Sequence, residues 1–433
     1  MSSPALSPRP AARGTRVAIL HYTCPPVVGG VESLIRTHAR LFVEHGYAVE
    51  VFAGRGRRFD PRVPVHVHPE LDSKHPEVVA VAAELARGEV TGRFTALRDR
   101  LVAWWRVALA PFDAAIVHNA FTLHFNMPLT AALHAVAGDR GERPRATAPA
   151  PDRRAPNPGT RLVAWCHDLS WSNSLYIPLL HEAYPWTLLK TCHPAVRYAV
   201  VSRDRQVDLA RLSGVPEEQL TVIPAGVDRA RWFHFGAATR RLLATLQLEP
   251  EELVLLLPVR ITRRKNVELA IRVVAALRDL GKHPRLLVTG PPGPHDVRAG
   301  TYLDELLQLR AALGVEREVD LLYPQRLADA TVADLYQVAD VLFFPSRQEG
   351  FGIPVLEAGL ARLPVFCTEL PPFREIADDH VAYFNPDEDP TILARRLVEF
   401  LARDPVARLR RRVLRDYSWE SIFPRLIAPL VDP

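Results

Sequence analysis

Mostly apolar runs of four to six residues recur along the chain. They cover 16–21, 47–52, 113–117, 161–166, 197–201 and 220–223 in the first half, and 253–258, 286–290, 319–323, 341–344 and 363–368 in the second. Such runs, bounded by Gly, Pro and charged residues, fit strands covered on both faces, as in a parallel sheet. Between them apolar positions recur at helical spacing, as at Leu34, Ile35, Ala39 and Leu41, and again at Val207, Leu209 and Leu212. Strand, loop, helix, strand is a βαβ unit, and it brings the loops that follow its strands to one edge of the sheet. The pattern closes near 225–250 and then starts again. The expected organisation is therefore α/β in two parts, 15–235 and 236–416, with a disordered tail at 1–14, a flexible insertion at 138–160 and a terminal helix over 417–433. Single helical stretches are expected over 78–109 and over 391–414.

Composition narrows the class. A chain of 433 residues, 48% hydrophobic and 24% charged, suits a soluble protein with two cores. The net charge is +5, but the 54 basic residues are interspersed with 49 acids, so nucleic acid is not an expected partner. No apolar run reaches the roughly 18 residues of a membrane span, and no apolar signal core opens the chain. The expected location is cytoplasmic, with at most peripheral contact at the inner face of a membrane. Cys24, Cys166, Cys192 and Cys367 are widely spaced and read as free thiols. His66, His68 and His75 lie near Glu70 and Asp72 but lack helical metal-ligand spacing, so no metal and no cofactor is expected. Asp387-Glu388-Asp389 lies between Pro386 and Pro390 and reads as a surface turn.

The richest chemistry lies in 341–363. An apolar strand, Val341-Leu342-Phe343-Phe344, is broken by Pro345-Ser346. Gly350 and Gly352 mark a tight loop, and Pro354 suits the first turn of a helix. A helix N-terminus presents free N–H groups and a partial positive charge, which suits a phosphate. Glu349 and Glu357 flank that loop, and carboxylates accept hydrogen bonds from sugar or ribose hydroxyls. Together these groups describe a site for a nucleotide sugar.

The run Glu349-Gly350-Phe351-Gly352-Ile353-Pro354-Val355-Leu356-Glu357 resembles the E-x7-E motif of retaining GT-B glycosyltransferases of the GT4 family. The resemblance extends over nearly all of the chain from Arg16, most strongly over 222–376. It implies two Rossmann-like domains facing a cleft, with the donor on the second, the acceptor on the first, and the terminal helix crossing back to the first. It implies transfer of a hexose from a nucleoside-diphosphate sugar to a hydroxyl acceptor, without a metal. Glu349 would contact the donor sugar and Glu357 the ribose. Arg260 and Lys265, five positions apart, match the family's diphosphate-binding cations, and Gly290 follows a strand near the nucleotide. Gly29 and Gly30 match a Gly-Gly-x-Glu loop facing donor phosphates and acceptor. His118, five positions after Asp113, matches a His whose carbonyl or ring lies near the reacting carbon, although Ile116 replaces the usual first His of that pair. His167 and Asp168 match a His-Asp pair at another strand end, and Trp171 offers sugar stacking or loop packing. Arg362 stands where the family has Gly, which should alter helix termination more than chemistry. Another GT-B enzyme, such as an epimerase or phosphorylase, and a non-catalytic nucleotide-sugar binder are the rival readings.

Overall fold

The computed structural model describes residues 14–141, 159–292 and 299–432. All but the last residue of the tail expected at 1–14 and most of the insertion expected at 138–160 lie outside them, although 138–141 continue the helix Met127–Gly141. The chain divides into two compact units, Met1–Ala225 with Ile422–Pro433, and Gly226–Ser421.

The first unit is built on a parallel sheet. Its strands are β1 (Arg16–Thr23), β2 (Ala48–Arg55), β3 (Val65–Val67), β4 (Ala114–His118), β5 (Arg161–Cys166), β6 (Val196–Val200) and β7 (Leu220–Val222). Their spatial order is β3-β2-β1-β4-β5-β6-β7. The second unit repeats the plan with β8 (Leu253–Leu257), β9 (Pro284–Val288), β10 (Val319–Leu321), β11 (Val341–Phe344), β12 (Val365–Thr368) and β13 (Ala382–Phe384), in the order β10-β9-β8-β11-β12-β13. The outermost strands β3, β7, β10 and β13 have three residues each. Helices cover both faces of a doubly wound sheet, so the central strands β4, β8 and β11 are buried at every position.

Each sheet has one place where the strand order reverses. In the first unit it lies between β1 and β4, where Val17 pairs with Ala114 and Leu20 with Val117. In the second it lies between β8 and β11, where Leu255 pairs with Val341. Crevices outside the carboxyl ends of strands at such reversals are where open α/β sheets bind ligands. Asp340 fixes the entry of β11: its buried carboxylate accepts from Val254 N at 2.9 Å and from Arg411 Nη1 at 3.2 Å.

Two helices expected as single stretches are broken. The 78–109 pattern is two helices, Pro76–Leu85 and Gly92–Ala108, separated at Gly88, which has φ 80° and cannot continue a right-handed turn. The 391–414 pattern is also two, Pro390–Arg403 and Pro405–Tyr417. Pro405 ends the first, and the Asp404 carboxylate caps the second through Val406 N and Ala407 N. Trp105 is fully buried, and Trp104 packs on Phe52 and His68, so both serve the core.

Candidate active site

In the second unit the loops after β8 and β11 meet through ion pairs. A turn at Arg263–Lys265 follows β8, and Asn266, at φ 53°, opens the helix Val267–Asp279. The turn buries the Lys265 side chain against the ring of Phe344, where its Nζ bonds Glu349 Oε1. Ser346 Oγ donates to the same oxygen at 2.7 Å. Arg264 Nη1 donates to Glu349 Oε2 at 3.1 Å and to the Gln348 carbonyl at 3.2 Å. Arg347 N closes the junction on the Arg264 carbonyl at 2.8 Å. Burial pulls the Lys265 ammonium below its ordinary pKa, and Glu349 opposes that pull. Arg260 is exposed on the same loop and makes no ion pair with any described residue.

Gly352 precedes the helix Ile353–Leu360 at φ 116°, and a Cβ there would meet the Phe373 ring at 2.6 Å. Only glycine fits. Pro354 occupies the first turn, while Phe351 and Ile353 stand exposed beside the loop. Gly350 faces open space, and a Cβ there would touch nothing within 4 Å. Glu357 is exposed and one of its oxygens takes the Tyr336 hydroxyl. Gly290 follows β9 so closely against the loop after β8 that a Cβ would collide with the Val259 carbonyl.

The first unit presents a different edge. Gly29 and Gly30 open the helix Gly30–Glu44 after β1. Glu32 folds back beneath this loop: it accepts from Thr23 Oγ1, and its Oε2 fills the place a Cβ at Gly29 would take. His118 ends β4 and is wholly buried. Its carbonyl accepts from Ala120 N at 2.8 Å and lies 3.1 Å from Nδ1 of His21. Its own Nδ1 lies 2.9 Å from Nε2 of His167, and its ring packs beside His38 and Trp165. Desolvation pushes His38 down to about 3 and His167 to about 4, and holds His118 well below the ordinary imidazole value. Asp168 turns to its own loop, accepting from Leu169 N at 2.9 Å and Asn173 Nδ2 at 3.3 Å. Trp171 donates to the Trp186 carbonyl at 3.1 Å, and Lys190 covers its ring at 4.4 Å.

Two family models match the chain over most of its length: "Glycosyltransferase Family 4" over residues 28–231 and "Glycosyl transferases group 1" over residues 240–415. The chain belongs to the GT4-type glycosyltransferases. Its relatives include a D-inositol 3-phosphate glycosyltransferase of Actinosynnema mirum, 32% identical over 47% of this chain and 52% of that protein. Another of that description, from Saccharomonospora viridis, is 29% identical over 62% of this chain and 66% of its own length. The chain spans about half the length of the first such relatives, 49% in the Rhodococcus opacus protein. A solved glycosyltransferase of lipopolysaccharide biosynthesis, WaaG, covers 96% of this chain and 99% of its own at 17% identity and TM-score 0.34, a likeness too loose to carry weight.

For a GT4-type chain the placements divide in two. Lys265, Glu349, Gly350, Phe351, Gly352, Gly290 and Arg260 lie on loops at the carboxyl edge of the second sheet, and Ile353, Pro354 and Glu357 on the helix Ile353–Leu360 that follows one of them. Gly29, Gly30, His118, His167 and Asp168 follow or end β1, β4 and β5 at the carboxyl edge of the first. His118 is buried, with its carbonyl on the His21 ring and its own ring on His167. Trp171 is half-buried, with Lys190 over its ring and its indole N–H on the Trp186 carbonyl. Arg264, Ser346, His21 and Asn119 join these sites without having stood out in the sequence. The repeated cation in Arg263-Arg264-Lys265 was the signal available for Arg264, the Pro345-Ser346 break for Ser346 and the polar pair His118-Asn119 at a strand end for Asn119; nothing marked His21. His66 bonds Glu50 at 2.7 Å, and among the described residues no group of acids, His and Cys is placed to hold a metal ion. Among the described residues no helix is long and apolar enough to cross a membrane.

Proposed function

We propose that this protein transfers a hexosyl group from a nucleoside-diphosphate sugar to a hydroxyl acceptor, with retention at the anomeric carbon. One observation carries the reading. At the β8–β11 reversal Arg264 and Lys265 share the carboxylate of Glu349, while Arg260 stands exposed on the same loop without an ion pair to any described residue, beside the N-terminus of the helix Ile353–Leu360. That leaves an excess of positive charge where a diphosphate brings the opposite sign. Arg263 and Arg347 do not add to it, being paired with Glu305 and Asp387.

In this reading the bond from the anomeric carbon to the diphosphate oxygen breaks. Negative charge grows on the departing phosphate, and Arg260 and Lys265 stabilise it. The amides at the helix start assist. Fixed cations of this kind supply what a metal would otherwise supply, and no metal is needed. Glu349, already oriented by Lys265 and Ser346, takes the sugar hydroxyls. Glu357 offers its second oxygen to the ribose. The acceptor oxygen attacks the face the diphosphate leaves, and its proton passes to a departing phosphate oxygen. The acceptor is a glycan, a lipid carrier or a small molecule. D-inositol 3-phosphate, after which several relatives are named, belongs in the panel.

Thermal unfolding with UDP-, GDP- and ADP-hexoses tests the donor. A ligand at about 100 times its dissociation constant adds roughly 2.7 kcal/mol. A shift with one base, lost in Arg260→Ala, is expected; no shift with any of them overturns the reading. Nucleotide release with the acceptor panel, with and without EDTA, then tests transfer. Binding without release from any acceptor would favour a non-catalytic binder.

A further inference from the structure

The two ring nitrogens His118 Nδ1 and His167 Nε2 lie 2.9 Å apart, so one proton lies between them. Both rings are neutral near pH 7, since burial lowers His118 well below the ordinary value and His167 to about 4. Two arrangements remain. If His167 donates from Nε2, His118 must carry its own proton on Nε2. That nitrogen is buried and finds no partner. If His118 donates from Nδ1, its Nε2 is a bare lone pair instead. A buried N–H left without an acceptor is the rarer of the two vacancies in folded proteins.

The surroundings hold the donor in place. The His118 ring packs against Trp165 and His38, each with centroids 5.7 Å away, and its carbonyl is tied to the His21 ring. His167 is held at a second point, where its backbone N–H donates to Asn119 Oδ1 at 2.9 Å. Asn119 sits at φ 61°, in the left-handed region that Asn tolerates better than most residues. The remaining nitrogen of His167, Nδ1, has no partner among the described residues, and His167 is only half-buried.

We infer that His118 is a positioning residue: its Nδ1–H donates to His167 Nε2 and locks His167 as the Nδ1–H tautomer, leaving a hydrogen-bond donor for a substrate oxygen at the carboxyl edge of the first sheet. The inference rests on the reading of that edge as part of a hexosyl-transfer site. It assigns the direct contact to His167 and the indirect role to His118. An outer partner that fixes a tautomer in this way is commonly worth about 10- to 100-fold in activity.

Long-range proton–nitrogen correlation spectra of the whole protein, labelled with 15N-histidine at pH 7.5, read the tautomer without any substrate. The His167 signals are those missing from His167→Gln. They should show Nε2 unprotonated and Nδ1 protonated. His118→Asn, whose side-chain N–H falls near the place of Nδ1–H, should keep that pattern and keep kcat within about threefold. His118→Leu, which leaves His167 Nε2 without its donor, should lower kcat about 10- to 100-fold. A wild-type His167 protonated on Nε2 overturns the inference, and so does an unchanged kcat in His118→Leu. Should His118→Leu fail to fold, the wild-type spectrum decides alone. A protein with the expected tautomer but no transfer activity would sink the proposed function instead, so the two failures are distinct.

Discussion

At the reversal between β1 and β4 the titratable side chains include His21, His38, His118 and His167, packed ring to ring and kept neutral by desolvation. At the reversal between β8 and β11 they include Arg260, Arg264, Lys265 and Glu349, which pair or stand exposed. The topology is the same and burial acts on both, yet it yields opposite chemistry. An imidazole escapes the cost of desolvation by releasing its proton at neutral pH. The Lys265 ammonium is pulled the same way by burial, and here it recruits a carboxylate that opposes the pull. The first edge can thus offer directed neutral hydrogen bonds to hydroxyls, while the second can stabilise an anion.

The sharpest way to break this contrast is to discharge the second edge. Arg260→Ala should cost about 10²- to 10³-fold in nucleotide release while leaving the melting temperature unchanged, because the side chain pairs with no described residue. Lys265→Ala should cost as much activity and also roughly 3 kcal/mol of stability, since it strips Glu349 of a buried partner. Equal stability of the two variants, measured by urea unfolding, would show that the Lys265–Glu349 pair is not anchoring the loops.

Acid should separate the two units. The folded pKa values of His38 and His167 lie near 3 and 4, below the 6.5 of an unfolded histidine. The unfolded chain therefore takes up protons first. The stability tied to these neutral rings is complete above pH 6.5 and is lost as pH falls from there toward 4 for His167 and toward 3 for His38. Each such ring contributes a slope of about 1.4 kcal/mol per pH unit within that window. The unit Gly226–Ser421 has no buried histidine among its described residues. Calorimetry at about pH 7.5 and 5.0 should show the first unit's transition dropping ahead of the second's; the reverse order would refute the assignment.

Smaller effects sharpen the second edge. Gly352→Ala places a Cβ into the Phe373 ring at a positive φ and should cost about 1–3 kcal/mol, whereas Gly350→Ala meets open space and should cost well under half of that. Arg362 sits at φ 55°, a conformation that glycine adopts freely. Arg362→Gly should raise stability by about 1 kcal/mol in thermal unfolding and leave activity alone.

Much of this was legible in the residues. Apolar runs marked the strands, since a strand covered on both faces needs apolar residues throughout. The loop from Glu349 to Glu357 announced itself through Gly, Pro and Glu at fixed offsets. What the residues could not give was depth. His118 is the last residue of a strand buried on both sides, so alternation offers no face to tell ring-in from ring-out. Glu32 reads as a charged residue in a first helical turn, yet it is buried because Thr23 and the bare backbone of Gly29 make room for it. The helix breaks at Gly88 and Pro405 were visible as residues, but apolar spacing ran through both and outweighed them.

The four outermost strands, with three residues each, have a consequence for handling the protein. An open sheet edge invites a second chain to add a strand, and the invitation grows with its length. Three residues offer only about two or three backbone hydrogen bonds before the edge ends, too few to template growth. Both sheets are wide enough to be at risk, six and seven strands, and both close themselves by tapering. Self-association through the sheets is thereby disfavoured, and concentrated samples should remain monodisperse by light scattering.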